Sequence, residues 1–430
     1  MIITPPAYAC AYLSAALSCA LFSCTVIFVP RFSSLRLFMA FLICLSCAAT
    51  AYTSKDCSDL QGWNAFVGTT FGVDFVFETV DVVLLSKERV VVDDYPKEDE
   101  KEREEEKLPA RRTNHWRRWL RAIKSALNLV LSKRKIGTPL QIRNKSIPSF
   151  SRKDPAWVPS RTQFLLFRTA RVVLNYLLIE IITGRQAPDD ISEKIAPGQE
   201  RLLWRIAHGK MTALEASEVV ALTVVFGLMV YLTQLLVYDL FSVVAVGLGI
   251  DGPAAWPPRF GSVGDAWSLR MFWGVFWNQD VRHSQTAIAA FIVHDVLRLP
   301  RNSKSSSSLL ARYAKIHCVF FLSALVHLSA DSFMGVPLKE SGAVTFYCLQ
   351  EAGILFEDAI GALYRTWAGK GTGNPGSLKN GQEPKPWLRA IGYLWVLMFL
   401  SWSSAGWVFP QLRAAQAFPL PLRILTRSSQ

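Results

Sequence analysis

Runs of about 20 apolar residues recur along this chain, and they constrain its fold more than any other feature. A helix that crosses the hydrocarbon core of a bilayer needs about 20 such residues. Hydrophobic residues make up 51% of the chain, which is typical of an integral membrane protein. The sequence therefore predicts an all-α, polytopic membrane protein of about eight transmembrane helices. The predicted spans are 6–29, 36–53, 64–86, 163–184, 216–238, 316–336, 342–363 and 388–409.

Charged residues divide the chain into three predicted parts, namely N-terminal helices at 1–86, a charged loop at 87–162 and the remaining spans at 163–430. The loop contains the acidic run EDEKEREEEK and then a basic segment, 111–135, whose apolar residues recur at helical spacing. That basic segment suits a helix on an anionic leaflet and equally a helix in water. Most Lys and Arg lie between apolar runs, so positive-inside topology explains the net charge of +13. We expect a lipid bilayer as partner and no nucleic acid.

The basic loops also predict the orientation of the chain. Arg31 and Arg36 follow the first span, and the loop at 87–162 is rich in Lys and Arg, so both segments are predicted to be cytosolic. Three crossings separate the N-terminus from that loop and one crossing separates the N-terminus from Arg31 and Arg36, so both basic segments lie on the same side of the membrane. If the short apolar stretch at 286–299 does not cross, the segment before it also faces the cytosol.

That segment, Ser268–Ser284, reads SLRMFWGVFWNQDVRHS and combines large aromatic residues with polar ones. Drawn as a helix, it places Trp273 and Trp277 on one side and Asn278 and Arg282 on the other. The pattern predicts an interfacial amphipathic helix that carries the sequence FWGVFWNQ. Amphipathicity alone favours a re-entrant or surface helix without chemistry.

The span at 316–336 contains ionisable residues, which are costly inside a bilayer and usually face the interior of a helix bundle. Ser323, His327 and Asp331 fall on one face at helical spacing. His327 could act as a general base, because neutral imidazole has a pKa near the operating pH. It could also be a core histidine bonded to a neighbouring helix.

Together, FWGVFWNQ and the downstream FFLSALVHLSAD resemble motifs of the wax-synthase-like branch of the membrane-bound O-acyltransferases. Fungal members of that branch include acetyltransferases of terpenoid and meroterpenoid secondary metabolism. The resemblance implies that 163–430 is an acyltransferase core, with its motif at 268–284 and its catalytic-histidine helix at 316–336. It also implies that His327 is the catalytic histidine and that Asn278 occupies the second polar position of the family. Asn278 could then stabilise an oxyanion, or orient the thioester or the imidazole.

An acyltransferase of this kind would use acetyl-CoA or another acyl-CoA as co-substrate, with no permanently bound cofactor and no metal. Basic residues near its entrance are candidates for binding the polyanionic coenzyme, although positive-inside topology explains them nearly as well. These candidates are Arg270, Arg298 and Arg301, together with Arg282. The predicted contacts to the substrates are Trp273, Trp277, Arg282 and Asp331.

Three functions remain open at this point. The first is transfer of an acyl group, most simply acetyl, to an apolar terpenoid alcohol at the endoplasmic reticulum. The second is fatty acylation of a long-chain alcohol, which is wax ester synthesis. The third is a transporter whose intramembrane His327 and carboxylates form an ion path, although the halves of the chain show no repeat.

Intramembrane carboxylates form two further groups, which we expect to pair with Arg168 and Arg171. Alternatively, they line a substrate path. The carboxylates are Asp74, Glu78, Asp81, Glu351 and Asp358.

Overall fold

Every regular element of the computed structural model is a helix, so the all-α prediction is confirmed for the residues it describes. The structure describes residues 7–30, 32–55, 65–86, 126, 129, 133–136, 149–151, 153–154, 156–184, 190–277, 282–301, 306–371 and 386–414. The helices are α1 (Ala7–Phe28), α2 (Leu35–Ser54), α3 (65–85), α4 (Arg161–Thr183), α5 (Ile191–Lys194), α6 (Leu202–Ala207), α7 (Ala213–Gly247), α8 (269–276), α9 (282–296), α10 (Ser306–Phe333), α11 (Ala343–Gly371) and α12 (Pro386–Ala414). Parts of α3, α8 and α9 are wound as π-helix.

Five of these helices are long and apolar enough to cross a membrane, namely α1, α2, α7, α10 and α12. The other three predicted spans are also helical and correspond to α3, α4 and α11. Each of these three carries at least three charged residues in its sequence, and none is among the helices that are long and apolar enough to cross a membrane. The structure thus supports a membrane protein, and the count of eight crossings stays a prediction.

The described chain divides into two compact units, and the first combines residues up to 143 with residues 280–322. In this unit α1 and α2 pack along each other, and α3 packs against α2. Phe22, Ile43, Cys47 and Phe75 are buried in its core. The basic segment at 111–135 lies almost wholly outside the described residues.

Buried ion pairs connect α3 of the first unit to two other segments. Asp74 pairs with Lys133, Glu78 with Lys135, and Asp81 with His283. The acidic stripe of α3 is therefore paired, as expected, but its partners are not Arg168 and Arg171. Sequence spacing shows which residues share a helix face. The ion-pair partner of each carboxylate depends on which segment packs against that face.

The second unit combines residues 144–279 with residues 323–430, and α4 and α7 pack side by side within it. Capping boxes begin both helices, with Ser160 as the N-cap of α4 and Thr212 as the N-cap of α7. Arg168 and Arg171 both bind the fully buried Asp239 of α7. Their predicted pairing with the other carboxylates is therefore wrong, because Asp239 lies on the helix that contacts α4.

α8 is held against α11 and α12 in the second unit. The carboxylate of Glu357 on α11 accepts hydrogen bonds from the backbone N–H groups of Leu269 and Arg270, at 2.6 and 3.2 Å. It also accepts one from the indole of Trp395 on α12, at 2.9 Å. A carboxylate at the first turn of a helix satisfies amides that have no partner within the helix. Glu357 therefore fixes the position of α8.

The predicted amphipathic helix over 268–284 is wrong beyond its first half. α8 ends at Phe276, and Trp277 has extended backbone angles, with ψ at 148°. A new helix, α9, begins at Arg282 and belongs to the first unit. The described backbone is therefore not one continuous helix over 268–284.

Candidate active site

His327 on α10 is held in one tautomer by its own helix. Its Nδ1 lies 2.8 Å from the backbone carbonyl oxygen of Ser323, one turn earlier. Because a carbonyl oxygen only accepts hydrogen bonds, Nδ1 must carry the hydrogen. Nε2 of the neutral ring is then left with a lone pair. This nitrogen lies 2.9 Å from the hydroxyl oxygen of Tyr347 on α11, and the hydroxyl donates to it.

Aromatic rings surround His327. The Tyr347 ring lies 4.6 Å from the imidazole centroid, and the ring of Trp407 on α12 stands nearly perpendicular to the imidazole at 5.3 Å. Phe346 stacks on Trp407 at 5.0 Å. Trp273 of α8 lies 6.0 Å from Tyr347 and 6.1 Å from Phe346. The aromatic motif and the histidine helix therefore meet across Tyr347.

A chain of buried hydrogen bonds fixes the motif end of this cluster. The indole N–H of Trp273 donates to the side-chain oxygen of Gln350 at 3.1 Å. The amide nitrogen of Gln350 donates in turn to Ser403 on α12 at 3.0 Å. Gln350 is fully buried, so these bonds fix its orientation and with it that of the Trp273 ring.

Asp331 lies on α10 one turn beyond His327 and is 1% exposed. Its carboxylate accepts hydrogen bonds from Ser341, from the indole N–H of Trp407 and from Gln411. Asp331 therefore holds Trp407, and Trp407 contacts the imidazole. Asp331 thus supports the cluster through protein side chains, and its contact to a substrate stays a prediction.

The other predicted site residues are distributed as follows. Arg270 of α8 forms an ion pair with Asp358 of α11. Trp277 stacks on Phe272 at 5.5 Å. Asn278 and the side chain of Arg282 lie outside the described residues.

Two predicted coenzyme-binding residues belong to the first unit. Arg301 pairs with Asp295 in an exposed ion pair, at 2.8 Å. Arg298 is also exposed and has a positive φ of 56°.

Three members of the cluster were not predicted, namely Tyr347, Gln350 and Trp407. They lie in apolar runs without a motif. Gln350 offered the one available signal, because a polar amide inside such a run needs a hydrogen-bond partner. Tyr347 and Trp407 read as ordinary aromatic residues of a span until their helices are placed beside α10.

The arrangement provides an imidazole lone pair within an apolar, aromatic setting inside a membrane protein. Such a nitrogen can take a proton from a hydroxyl group that is brought to it. The arrangement is therefore of the kind that general base catalysis of a hydroxyl nucleophile requires.

Comparison with known proteins identifies the family. The model of the membrane bound O-acyl transferase family matches residues 256–349, a range that contains α8, His327 and Tyr347. The acetyltransferase ataH of Aspergillus terreus is 34% identical over 305 residues, which cover 69% of this chain and 93% of that protein. The acetyltransferase fsoF of Humicola fuscoatra is 32% identical over 305 residues and 70% of each chain.

A third relative, the acetyltransferase TRI7 of Fusarium sporotrichioides, is 30% identical over 292 residues, which cover 66% of this chain and 63% of that protein. No solved structure matches the chain significantly. The chain belongs to the membrane-bound O-acyltransferase family and is an acyltransferase enzyme. The resemblance seen in the sequence is thereby confirmed.

Proposed function

We propose that this enzyme transfers an acetyl group from acetyl-CoA to a hydroxyl group of an apolar terpenoid or meroterpenoid alcohol, in the membrane of the endoplasmic reticulum. The observation that carries the proposal is the Nε2 lone pair of His327, which the Ser323 carbonyl selects and aromatic rings surround. The names of the relatives support the acetyl group, and the resemblance of the motifs supports the class of acceptor.

In this proposal, His327 removes the proton of the acceptor hydroxyl as its oxygen attacks the thioester carbonyl. A positioned base of this kind contributes roughly 10²–10⁴-fold to the rate. The tetrahedral intermediate carries an oxyanion, for which Asn278 is our proposed donor. When the intermediate collapses, the thiolate of coenzyme A leaves and takes up the proton held by the imidazole. Both substrates are bound at once, and no acyl-enzyme forms.

The aromatic setting favours an apolar acceptor. Trp273, Phe346, Tyr347 and Trp407 offer flat apolar surfaces next to the base. The indole N–H groups of Trp273 and Trp407 are already bonded to Gln350 and Asp331, so these rings contribute surface more than hydrogen bonds. A polycyclic alcohol that enters from the bilayer suits such a surface.

We further propose that basic side chains bind the phosphates of the coenzyme, with Arg270, Arg282, Arg298 and Arg301 as candidates. Arg270 is partly exposed and already faces the carboxylate of Asp358. A phosphate group would have to compete with that carboxylate for the guanidinium. Arg301 would likewise have to exchange its ion pair with Asp295 for a contact to a phosphate group.

The experiment that tests the function is acyl transfer by microsomes that contain the wild type, His327→Ala or His317→Ala. His317 is a matched control, because it lies ten positions earlier on α10, where its ring stacks on Phe321. Labelled acetyl-CoA and palmitoyl-CoA are each offered with farnesol, a polycyclic terpenoid alcohol and hexadecanol.

We expect acetyl esters of the terpenoid alcohols from the wild type and from His317→Ala, and a loss of at least 100-fold in His327→Ala. Esters formed only from palmitoyl-CoA and hexadecanol would replace the proposal with wax ester synthesis. A His327→Ala variant as active as the wild type would remove His327 from the mechanism. If folded enzyme transfers neither acyl group to any alcohol of the panel, the proposed function is wrong.

A further inference from the structure

We propose that Tyr347 relays the proton of the acceptor hydroxyl to His327, and is therefore a second catalytic residue of the site. This inference rests on the proposed function, because it assigns a role within the same acyl transfer. It starts from the single lone pair that the tautomer of His327 leaves on Nε2. That lone pair does not face open space, because the hydroxyl of Tyr347 lies 2.9 Å away and donates to it.

The base can therefore be reached in two ways. The acceptor alcohol could displace Tyr347 from Nε2, or it could donate to the Tyr347 oxygen and pass its proton on through the phenol. Tyr347 is 4% exposed, and its ring packs against those of His327 and Trp273, at 4.6 and 6.0 Å. Its side chain is thus buried and confined by packing against neighbouring rings, which disfavours displacement.

The Tyr347 oxygen also has an acceptor position to offer. A phenol oxygen can accept a hydrogen bond while its own O–H donates. Among the residues that the structure describes, none donates a hydrogen bond to this oxygen. The two nearest indole donors are directed elsewhere, since Trp407 donates to Asp331 and Trp273 to Gln350. An acceptor hydroxyl can therefore donate to Tyr347 without breaking an existing bond.

As the alcohol oxygen forms its bond to the thioester carbon, the alcohol proton moves to the Tyr347 oxygen and the phenol proton moves to Nε2 of His327. The carbonyl π electrons move onto the oxygen and form the oxyanion. On collapse, the bond between carbon and sulfur breaks, and the imidazolium proton returns through Tyr347 to the thiolate. The products are the acetyl ester and coenzyme A, and both side chains regain their starting forms.

The test compares the wild type with Tyr347→Phe, His327→Ala and Tyr393→Phe, using acetyl-CoA and farnesol as probes. Tyr393→Phe is the matched control, because it removes a phenol hydroxyl that donates only to the backbone carbonyl of Val263. We expect Tyr347→Phe to lower the single-turnover acetylation rate at least 100-fold, with KM for acetyl-CoA changed less than threefold. Tyr393→Phe should keep the wild-type rate.

The outcomes separate the relay from the function on which it rests. If His327→Ala is inactive but Tyr347→Phe acetylates at the wild-type rate or faster, the hydroxyl merely covers the base and the relay is overturned. If the wild type acetylates no alcohol of the panel, the proposed function fails and the relay with it.

A second measurement requires no variant. A relay moves two protons in the transition state. A plot of the wild-type single-turnover rate against the deuterium fraction of the water should therefore be curved. A straight line would mean that one proton moves, and it would overturn the relay even if Tyr347→Phe were inactive through misfolding.

Discussion

At the scale of single residues, the site depends on where hydrogen-bond donors are directed. Asp331 receives three donors, and one of them is the indole of Trp407, whose ring contacts His327. A carboxylate accepts at both oxygens, so it can hold all three at once. Asp331 is thus the residue that connects α10 to α12 beside the base.

Replacing Asp331 by Asn should therefore disturb both stability and activity. The amide of Asn offers one acceptor oxygen and one NH2 donor group. At least one side chain that now donates to Asp331 would then face that NH2 group, and an unpaired buried donor costs about 1–3 kcal/mol of stability. We expect a lower midpoint of thermal unfolding in detergent and a fall in kcat of at least 10-fold through a displaced Trp407. The control is Asp295→Asn, which breaks an exposed pair with Arg301 and should change both quantities little. Equal effects of the two substitutions would contradict this role of Asp331.

The sequence identified part of this site, and the reason lies in what a helix face reveals. Helical spacing placed Asp331 with His327, and the aromatic motif identified Trp273. Tyr347 and Trp407 belong to other helices, and a lone aromatic residue in an apolar run gives no indication of which helix will lie beside it. Residues that complete a site across helices are therefore the ones that sequence reasoning missed.

At the scale of elements, α8 is a short helix whose position is set from outside. The sequence predicted a longer amphipathic helix, because the helical spacing of polar and aromatic residues continues to Arg282. In the structure, the backbone becomes extended at Trp277. Glu357 accepts from the first amides of α8 and from Trp395. Since α8 presents Trp273 to Tyr347, this carboxylate controls one wall of the site.

Glu357→Gln should loosen α8 without removing any ring from the site. The neutral amide has a single acceptor oxygen and lacks the charge that favours a helix N-terminus, so α8 loses one or two of its anchoring bonds. We expect KM for the acceptor to rise several-fold, as Trp273 becomes less well placed, with a smaller change in kcat. Steady-state kinetics with farnesol measures both values. An unchanged KM would show that α8 keeps its position without this carboxylate.

A close approach of α11 and α12 sets the distance between Tyr347 and Trp407, which lie 5.7 Å apart. A Cβ on Gly342 would meet the carbonyl oxygen of Gly406 at 2.1 Å, so only glycine fits there. Gly342→Ala must push the two backbones apart, and we expect a loss of stability together with a fall in acetylation of at least 10-fold. Gly227→Ala on α7 is the control, because its Cβ would meet nothing within 4 Å. A fully active Gly342→Ala enzyme would contradict the close contact.

At the scale of the whole molecule, buried charge is a common feature of both units. Asp239 binds two arginines in one unit, and the stripe on α3 binds Lys133, Lys135 and His283 in the other. The sequence indicated that the carboxylates of α3 would be paired, because isolated charge is costly inside a membrane protein, but it did not single out Asp239. It could not identify the partners, which come from segments distant along the chain.

Lys135 gives the sharpest test of what such a pair contributes. Its side chain is fully buried, and its ammonium donates to Glu78 and, at 2.6 Å, to the carbonyl oxygen of Leu129. Lys135→Met leaves the Glu78 carboxylate buried without its counter-charge, which should cost about 3–5 kcal/mol. The double variant Lys135→Met/Glu78→Met replaces both charges with apolar side chains of similar length, and it should recover most of that loss. Thermal unfolding of the purified variants in detergent measures both effects.

The comparison decides between two views of this ion pair. If the pair matters because neither charge can be left alone, the double variant will be more stable than the single one, and the favourable coupling between the two sites will be large. If Lys135 instead stabilises the unit mainly through its bond to Leu129, the second substitution will restore nothing. The same pair of variants should keep the acetylation rate per folded molecule, because no residue of the proposed catalytic machinery is changed. A loss of rate without a loss of stability would show that the α3 network contributes to catalysis.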